Sequence, residues 1–311
     1  MLLRKLSPIT LVVSMLASQV ACAAEDYSVQ KVTDGVFYHQ GVHEDATPEN
    51  IGAIANVGFI IGEDCVAVVD SGGSFAEGQQ LKQALKRQTS KPVCFVINTH
   101  VHPDHVLGNA AFTEFNPIYI GHEKLPAAMD SRKDFFDRVF SESLGAAYVG
   151  SEFITPTQTV SIGSPITIDL GNRELELTAY TTSHTDHDLT VFDKSSKTLW
   201  TGDLLFIDRI PALDGSINGW IENLTQLQNK DVEYAVPGHG PAGKDSYQVG
   251  LKEHLNYLVT IREQIRAIIN DFGTIEEATS TVGLDQQDKW LLFEHYHRRN
   301  VTAAFVELEW E

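Results

Sequence analysis

Three histidines and one aspartate lie within six residues of this chain, directly after an apolar run. They are His100, His102, Asp104 and His105. The β-branched and aromatic residues 93–97 predict a buried strand that delivers this cluster into a loop. In extended backbone the first two histidines project to the same side, so that they could bind one metal ion together. Pro103 turns the chain, which leaves the aspartate and the third histidine free to face a second ion.

The donor atoms of this cluster indicate which metals it would bind and what they would do. Imidazole nitrogens and carboxylate oxygens without a thiolate suit zinc, and they also suit iron or manganese. Two ions about 3.5 to 4 Å apart would lower the pKa of a shared water, so that hydroxide exists at physiological pH. They would also polarise a carbonyl or phosphoryl oxygen of the substrate. The alternative, a solvated histidine-rich loop, is less consistent with such dense spacing after a strand.

The spacing His-x-His-x-Asp-His resembles the motif of the metallo-β-lactamase superfamily. Three later ligand positions of that family have matching residues in the expected order, namely His184, Asp203 and His239. Each follows an apolar, β-like run, at residues 174–180, 198–200 and 232–236, as expected where ligands collect at strand ends. Taken alone, such residues are more often turn or loop residues. Their joint occurrence favours metal ligands.

The resemblance implies a role for each of these side chains. One ion would be bound by His100, His102 and His184, the other by Asp104, His105 and His239, and Asp203 would bridge the two. Asp104 and Asp203 are therefore the candidate catalytic residues, and Asp104 could also orient the attacking hydroxide. Asp70 also ends an apolar run, so we interpret it as a hydrogen-bond acceptor for a ligand, with a turn role as the alternative.

Four longer segments are similar to those of the quinoprotein relay system zinc metallohydrolases, relatives of a protein encoded with sulphur-oxidation genes. They are residues 98–112, 201–206, 211–220 and 297–311. This resemblance implies a periplasmic location and a functional link to a quinoprotein dehydrogenase, but no particular substrate. Residues 184–188 depart from the pattern of many relatives, which have glycine soon after the histidine. We therefore expect Asp186 and His187 to reshape the mouth of the pocket.

The implied function is that of a periplasmic hydrolase with two zinc ions that acts on an ester, thioester or amide-like small molecule. True metallo-β-lactamases place a different residue at the position of Asp203, so β-lactam hydrolysis ranks lower. Two further alternatives are a mononuclear iron dioxygenase acting on persulfides and a metal-binding accessory protein without turnover. A mononuclear oxygenase does not need Asp203 and His239 as ligands, so two complete sites favour the hydrolase.

The N-terminus has the pattern of a cleaved export signal. Two basic residues precede an apolar core around residues 11–17, and Ala21-Cys22-Ala23 supplies a cleavage motif. We expect residues 1–23 to be removed and the mature protein to be periplasmic or secreted. A membrane anchor fits less well because the apolar core is short. Lipidation at Cys22 fits less well because the residue three positions earlier is not aliphatic.

The net charge of the chain limits the classes of partner that it is expected to bind. The formal net charge is −19, from 42 acidic and 23 basic residues, and loss of the two basic residues of the export signal would change it to −21. Such a surface repels nucleic acid and anionic lipid. We therefore expect neither nucleic acid nor a membrane as a partner, and a substrate anion would have to be attracted by the metal site itself.

The remaining pattern predicts a single domain over residues 24–311, without a linker or repeat. Strand-like runs arrive in two batches with helical patterns around them. The strands are expected at residues 35–40, 58–62, 66–70, 93–97 and 117–120 and then between 153 and 199, with helices at 75–87 and 124–144. This order suits an α/β (αββα) sandwich, in which two sheets pack face to face with helices outside. The resemblance implies the same fold.

Two further features leave alternatives open. A long amphipathic helix that ends near Gly273 forms a C-terminal helical extension. The last segment, residues 290–311, carries two histidines and two arginines, and we interpret it as surface or core packing rather than a cover over the site. Cys65 lies five residues before Asp70 and Cys94 five residues before Thr99, in what are expected to be two strands of one layer. A disulfide between them is therefore as consistent with the sequence as two buried thiols.

Overall fold

The computed structural model describes residues 27–311, so the expected signal peptide at residues 1–23 lies outside the described residues. Within them, seven strands form a first sheet in chain order. They are β1 (Gln30–Thr33), β2 (Val36–His39), β3 (Val57–Ile61), β4 (Val66–Val69), β5 (Val93–Ile97), β6 (Ile118–His122) and β7 (Gln158–Val160). Strands β4 to β7 run parallel, so the segments that follow them begin at one edge of the sheet.

Five strands form the second sheet, in the order β12-β11-β10-β9-β8. They are β8 (Ile166–Asp169), β9 (Glu174–Ala179), β10 (Leu189–Asp193), β11 (Thr198–Phe206) and β12 (Tyr234–His239). Strand β12 joins β11 in parallel, whereas the other pairs are antiparallel.

Seven α-helices cover the two sheets within the described part of the chain. They are α1 (Phe75–Gln88), α2 (Pro103–Val106), α3 (Leu125–Leu144), α4 (Ile217–Leu227), α5 (Ser246–Asn270), α6 (Ile275–Thr281) and α7 (Phe293–Leu308). The helices at residues 75–87 and 124–144 and the long C-terminal helix are confirmed to within a few residues. None of the helices in residues 27–311 combines the length and apolar character needed to cross a bilayer.

The alternation of side chains in β4 shows how the layers are built. Ala67 and Val69 point into a core shared by the two sheets, whereas Val66 and Val68 pack with Leu81 of α1 on the opposite face. The outer face of the second sheet is covered by α4, α5 and α7 in a further core. Period-two alternation with both faces apolar requires cover on both sides. The expected αββα sandwich is thereby confirmed.

Strand β11 differs from the expectation. The sequence predicts the strand at residues 198–200, with Asp203 beyond its end, but the strand continues to Phe206 and contains Asp203. The ladder to β12 shifts register on both sides of Gly202, which has a φ of +50°. A Cβ atom there would lie 2.5 Å from the side chain of Thr99. Glycine thus permits a local irregularity within the strand, immediately before Asp203.

The two cysteines join neighbouring strands of the first sheet. Cys65 precedes β4 and Cys94 lies in β5, and they form a disulfide with a Cα–Cα distance of 5.9 Å. Of the two alternatives that the sequence allows, the structure therefore shows the disulfide.

Candidate metal centre

The edge at which the strands end gathers seven histidine and aspartate side chains into two groups. The first group consists of His100, His102, His184 and Asp203, and the second of Asp104, His105 and His239. Within each group one donor atom per residue lies within 4.8 Å of all the others. The structure therefore brings together every side chain that the sequence predicted as a ligand.

The first group has the spacing of a tetrahedral metal site. The Nδ1 atom of His102 lies 3.0 Å from Nε2 of His100 and 3.0 Å from Nε2 of His184. One oxygen of Asp203, Oδ2, lies 3.6 and 3.4 Å from those two Nε2 atoms. Zinc–nitrogen bonds of about 2.0 to 2.1 Å in tetrahedral geometry place donors about 3.3 Å apart. The observed distances bracket that value.

The second group shares the same aspartate through its other oxygen. Oδ1 of Asp203 lies 3.1 Å from Nε2 of His105 and 3.5 Å from Nε2 of His239. Oδ2 of Asp104 completes the group, at 3.7 and 3.4 Å from the same two nitrogens. Since each Asp203 oxygen faces a different group, the carboxylate has the placement of a bridging ligand.

The second nitrogen of two of these histidines is held by a backbone carbonyl. The Nδ1 atoms of His184 and His239 lie 2.6 Å from the Ala212 carbonyl and 2.7 Å from the Ile54 carbonyl. A carbonyl can only accept, so the proton of each ring lies on Nδ1 and the lone pair on Nε2 faces the site. Such contacts orient metal-binding histidines in general.

Asp70 performs the same function for two ligands of the motif. It accepts hydrogen bonds from Nδ1 of His105 at 2.8 Å and from both the backbone N–H and the hydroxyl of Thr99. That hydroxyl lies 3.0 Å from Nδ1 of His100. Of the two interpretations offered for Asp70, the acceptor role is the one that the hydrogen bonds show.

The site leaves polar atoms without partners that a cation would satisfy. Nε2 of His105 and Oδ1 of Asp203 are buried and lie 3.1 Å apart, but their orientation forms no hydrogen bond, and neither has another hydrogen-bond partner within residues 27–311. Burial lowers the pKa of His105, but the charges of Asp203, Asp104 and Asp70 outweigh it and raise the pKa well above its usual value. Carboxylates gathered in this way require positive charge between them. The residues present therefore fit a pair of metal ions.

Two histidines of the first group, His100 and His184, are also in the protonation state that binds a metal ion. Burial lowers the pKa of His184 to about 4, although the charge of Asp203 acts in the opposite direction. Burial, followed by the charge of His105, lowers the pKa of His100 well below its usual value. Both imidazoles are consequently neutral at physiological pH, which is the form that binds metal ions.

A cavity of about 570 Å³ opens above the two groups. Its floor includes His102, Asp104, Asp203 and His239. One wall is formed by α3, which presents Phe135, Phe136, Val139 and Phe140. The cavity thus combines the polar centre with a largely apolar side, as small-molecule sites commonly do.

Several residues of the site were not identified from the sequence. Asp214 lies 3.3 Å from Nε2 of His102 and accepts a hydrogen bond from Arg132 at 2.8 Å. Arg209 lines the cavity beside His239. Asp214 belongs to one of the segments quoted for the family resemblance, residues 211–220, which is the one signal that could have identified it. Arg132 and Arg209 carry no comparable local pattern.

Two expectations about the cavity are wrong or incomplete. Asp186 and His187 do not line it: His187 is buried with Nδ1 against the Thr185 hydroxyl, and Asp186 pairs with Lys124. Asp188 folds this loop back by accepting hydrogen bonds from the backbone and hydroxyl of Thr185. The last segment of the chain, in contrast, does reach the site.

Helix α7 brings two side chains of that last segment to the cavity, namely Tyr296 and Arg299. His297 instead faces the interior, between the hydroxyl of Tyr257 and the carbonyl of Val282. Surface or core packing was therefore the right interpretation for His297 and Arg298 and the wrong one for Tyr296 and Arg299, because one helix face meets the interior while another meets the cavity.

Comparison with known proteins points to one family. Residues 51–239 match the family model of the metallo-beta-lactamase superfamily. No curated protein is significantly similar in sequence. Among solved structures, the chain resembles a metallo-beta-lactamase from Pontibacter korlensis, with 20% identity and a TM-score of 0.59 over 75% of this chain and 98% of that one. It also resembles a metallo-beta-lactamase from Hirschia baltica, with 18% identity and a TM-score of 0.58 over 74% of this chain and 96% of that one.

A third solved structure resembles more of the chain. It is the stereoselective inverting sec-alkylsulfatase from Pseudomonas sp., with 14% identity and a TM-score of 0.70 over 90% of this chain and 50% of that one. At these identities the likenesses show a shared fold. The family match is independent of them: it covers more than half of the chain and spans all seven converging side chains, from His100 to His239. The chain therefore belongs to the metallo-β-lactamase superfamily.

Proposed function

We propose that this protein is a dinuclear metal-dependent hydrolase, with zinc in both sites, that cleaves an ester, thioester or amide-like bond of a small molecule. The observation that carries the proposal is the Asp203 carboxylate, whose two oxygens face two separate donor groups. A mononuclear site would leave the second group of Asp104, His105 and His239 without a function. The superfamily includes metal-dependent hydrolases, which agrees with this assignment.

The ions would be held by His100, His102 and His184 in one site, by Asp104, His105 and His239 in the other, and by Asp203 in both. Bound there, two divalent cations supply Lewis acidity, which lowers the pKa of water and polarises the substrate carbonyl.

The chain's own side chains provide orientation and exclude solvent. Asp104 is 13% exposed and lines the cavity. Its Oδ1 atom receives no hydrogen bond from the described residues, so it can accept one from the attacking water and hold that water in position. The phenylalanines of α3 border the same cavity and limit the access of bulk water to it.

Metal analysis tests the proposal most directly. Mature protein purified from periplasm without added metal should contain about two zinc ions per chain by elemental mass spectrometry. Removal of the ions by a chelator should abolish hydrolysis of an activated ester, and added zinc should restore it. One iron per chain would instead favour oxygen-dependent chemistry on persulfides. Protein that is fully loaded with zinc but inactive on esters, thioesters and amides would favour the accessory role.

We further propose that the protein acts in the periplasm and serves a quinoprotein dehydrogenase system. The disulfide between Cys65 and Cys94 supports an oxidising compartment, and the export pattern at residues 1–23 supports secretion. Cell fractionation should recover the protein in the periplasmic fraction with its N-terminus near Ala24. Recovery of the intact chain in the cytoplasm would contradict this location.

A further inference from the structure

Arg209 is a buried cation without an acidic partner. The residue is 4% exposed, and no carboxylate of residues 27–311 forms an ion pair with its guanidinium. Of its five N–H donors, only two meet an oxygen atom of the described residues, the Glu44 carbonyl at 3.5 Å and the Tyr296 hydroxyl at 3.1 Å. Arginine is seldom buried unless it is paired. This chain has a large excess of acidic residues, so the absence of a partner at Arg209 requires an explanation.

The position of Arg209 places its free donors beside the metal centre. Its Nη1 atom lies 3.3 Å from Nδ1 of His239, and the side chain lines the cavity. The His239 Nδ1 atom already donates to the Ile54 carbonyl, so it cannot serve as an acceptor for the arginine. The unpaired charge therefore faces the space that a substrate would occupy.

The surrounding structure holds Arg209 rigidly. Its backbone forms an isolated bridge with Leu291, and its guanidinium lies 5.4 Å from the centre of the Tyr296 ring. The nearby acid Asp45 forms no direct ion pair with Arg209. It accepts a hydrogen bond from the Tyr296 hydroxyl at 3.1 Å, the same hydroxyl that accepts from Arg209, and it lies 3.3 Å from His295. The arginine is thus held by the Tyr296 hydroxyl and ring, and the nearest acid is separated from it by that hydroxyl, so donors of the guanidinium remain for an anion in the cavity.

The opposite side of the cavity has a different character. There Arg132 and Arg299 both pair with Asp214, at 2.8 and 3.2 Å, so part of their charge is compensated. Helix α3 also presents four apolar side chains to this side of the cavity, of which Phe135 is 54% exposed and Phe136 is buried. The spacing of Phe135, Phe136, Val139 and Phe140 places them on one helix face. This face offers an apolar surface at the side of the cavity near His102.

We propose that the substrate is an amphiphilic anion: an ester whose apolar half lies against α3 and whose other half carries a carboxylate, or a comparable anionic group, that pairs with Arg209. The scissile bond then lies between the two halves, over the metal centre. This inference names the substrate class of the hydrolase proposed above and rests on that function. It also explains how a strongly acidic protein can attract an anionic substrate, because a local cation offsets the repulsive general field.

Calorimetry with a probe that need not be hydrolysed tests the anionic half. The probe is 4-(hexylcarbamoyl)benzoate, and its neutral match is 4-(hexylcarbamoyl)benzamide. Zinc-loaded wild-type protein should bind the benzoate at least about tenfold more tightly than the benzamide. Arg209→Gln should abolish that preference, and Arg209→Lys should retain part of it. Arg298→Gln is the matched control, because Arg298 is exposed on the same helix as Tyr296 and does not line the cavity.

A merely structural role for Arg209 would give a different result. Arg209→Gln would then lower the melting temperature while leaving the preference for the benzoate unchanged, and this outcome would overturn the inference. If the metal ions alone bind the carboxylate, Arg209→Gln likewise keeps the preference for the benzoate. That result would also overturn the inference. Zinc content and melting temperature are measured for every variant, so that loss of the fold or of the ions is not mistaken for loss of the anion site.

The apolar half has its own measurement. Replacing the hexyl group of the probe by methyl should weaken binding to the wild type by at least about tenfold, because five methylene groups lose their apolar contact. Phe135→Ser should narrow this difference; its side chain is already half exposed, so the fold should tolerate the change. An equal affinity for the two chain lengths would remove α3 from the substrate site.

Measuring the hydrolysis of charged and neutral esters distinguishes a failure of this inference from a failure of the proposed function. The two esters 4-(hexanoyloxy)benzoate and hexyl 4-carboxybenzoate present both orientations of the bond, each with a neutral carboxamide match. Hydrolysis of charged and neutral esters at equal rates would support the hydrolase and contradict the anion site. Tight, Arg209-dependent binding without hydrolysis of any ester would support the anion site and contradict the hydrolase.

Discussion

Asp203 is the residue on which the two donor groups depend. Its carboxylate is 4% exposed and contributes one oxygen to each group. We expect Asp203→Ala to lower the metal content below two ions per chain and to reduce the hydrolysis of an activated ester by several orders of magnitude. His297→Gln is the control, because His297 lies away from the cavity, and its metal content should stay the same. An Asp203→Ala protein with full metal content and rate would exclude the bridging role.

Gly238 controls the position of that carboxylate. A Cβ atom at this glycine would lie 1.9 Å from Oδ1 of Asp203 and 2.7 Å from the carbonyl carbon of Gly202. We expect Gly238→Ala to displace the carboxylate and to weaken metal binding by at least about tenfold, as other changes that misalign ligands do. Competition with a metal-binding dye would measure the affinity.

Gly163→Ala is the matched control for that substitution. Gly163 has a φ of +74°, and a Cβ atom added there would meet no other segment of the chain within 4 Å, so the change strains the backbone far from the site. It should lower stability without altering metal affinity. If both variants bind metal as the wild type does, the close approach of Gly238 to Asp203 is not needed for the site.

At the scale of elements, α7 anchors the start of α4. One oxygen of Glu307 accepts the Ile217 N–H at 2.7 Å, and the other accepts the Ser216 hydroxyl at 2.8 Å. Helix α4 also carries Trp220, whose ring centre lies 5.3 Å from that of His184. The C-terminal helices therefore stabilise the metal-binding side of the second sheet through a helix-capping contact.

Removing that contact should lower the free energy of unfolding. We expect Glu307→Ala to destabilise the protein by about 1 to 2 kcal/mol, because the N-terminal N–H groups of α4 lose a charged acceptor. Glu309→Ala, directly after the last residue of α7, should change stability by less than about 0.5 kcal/mol, since its side chain is exposed. Urea denaturation measures both, and equal effects of the two substitutions would show that the cap contributes nothing.

At the scale of the whole molecule, the disulfide joins two strands whose ends carry the site. Cys65 and Cys94 are 29 residues apart in sequence, and closing a loop of that length stabilises a folded protein by about 3.6 kcal/mol. The double variant Cys65→Ala/Cys94→Ala should therefore have a free energy of unfolding lower by that amount, as measured by urea denaturation. Its metal content should remain that of the wild type, because neither cysteine contacts a candidate ligand. Unchanged stability would show that the bond is not formed in the purified protein.

Much of the fold and part of the candidate metal site could be predicted from short patterns in the sequence. The order of strands and helices and the cluster of His100, His102, Asp104 and His105 followed from short-range features, since a strand end and a dense histidine cluster are visible within a few residues. The positions of His184, Asp203 and His239 were implied by the family resemblance. Period-two alternation with both faces apolar requires two covering layers, so the αββα sandwich follows from the same residues. The outcome for the disulfide was left open, because adjacency of two strands does not establish which way their side chains point.

Only the tertiary structure decided the rest of the site. The Ile54 carbonyl comes from one segment, and the Arg209 guanidinium, the Ala212 carbonyl and the Asp214 carboxylate come from another, residues 209–214. Both segments are distant in sequence from the histidines that these groups contact, and no periodic pattern predicts those contacts. The inclusion of Asp203 within β11 depended on a close approach between Gly202 and Thr99. Such contacts arise from the packing of one sheet against the other, which residue spacing along the chain does not specify.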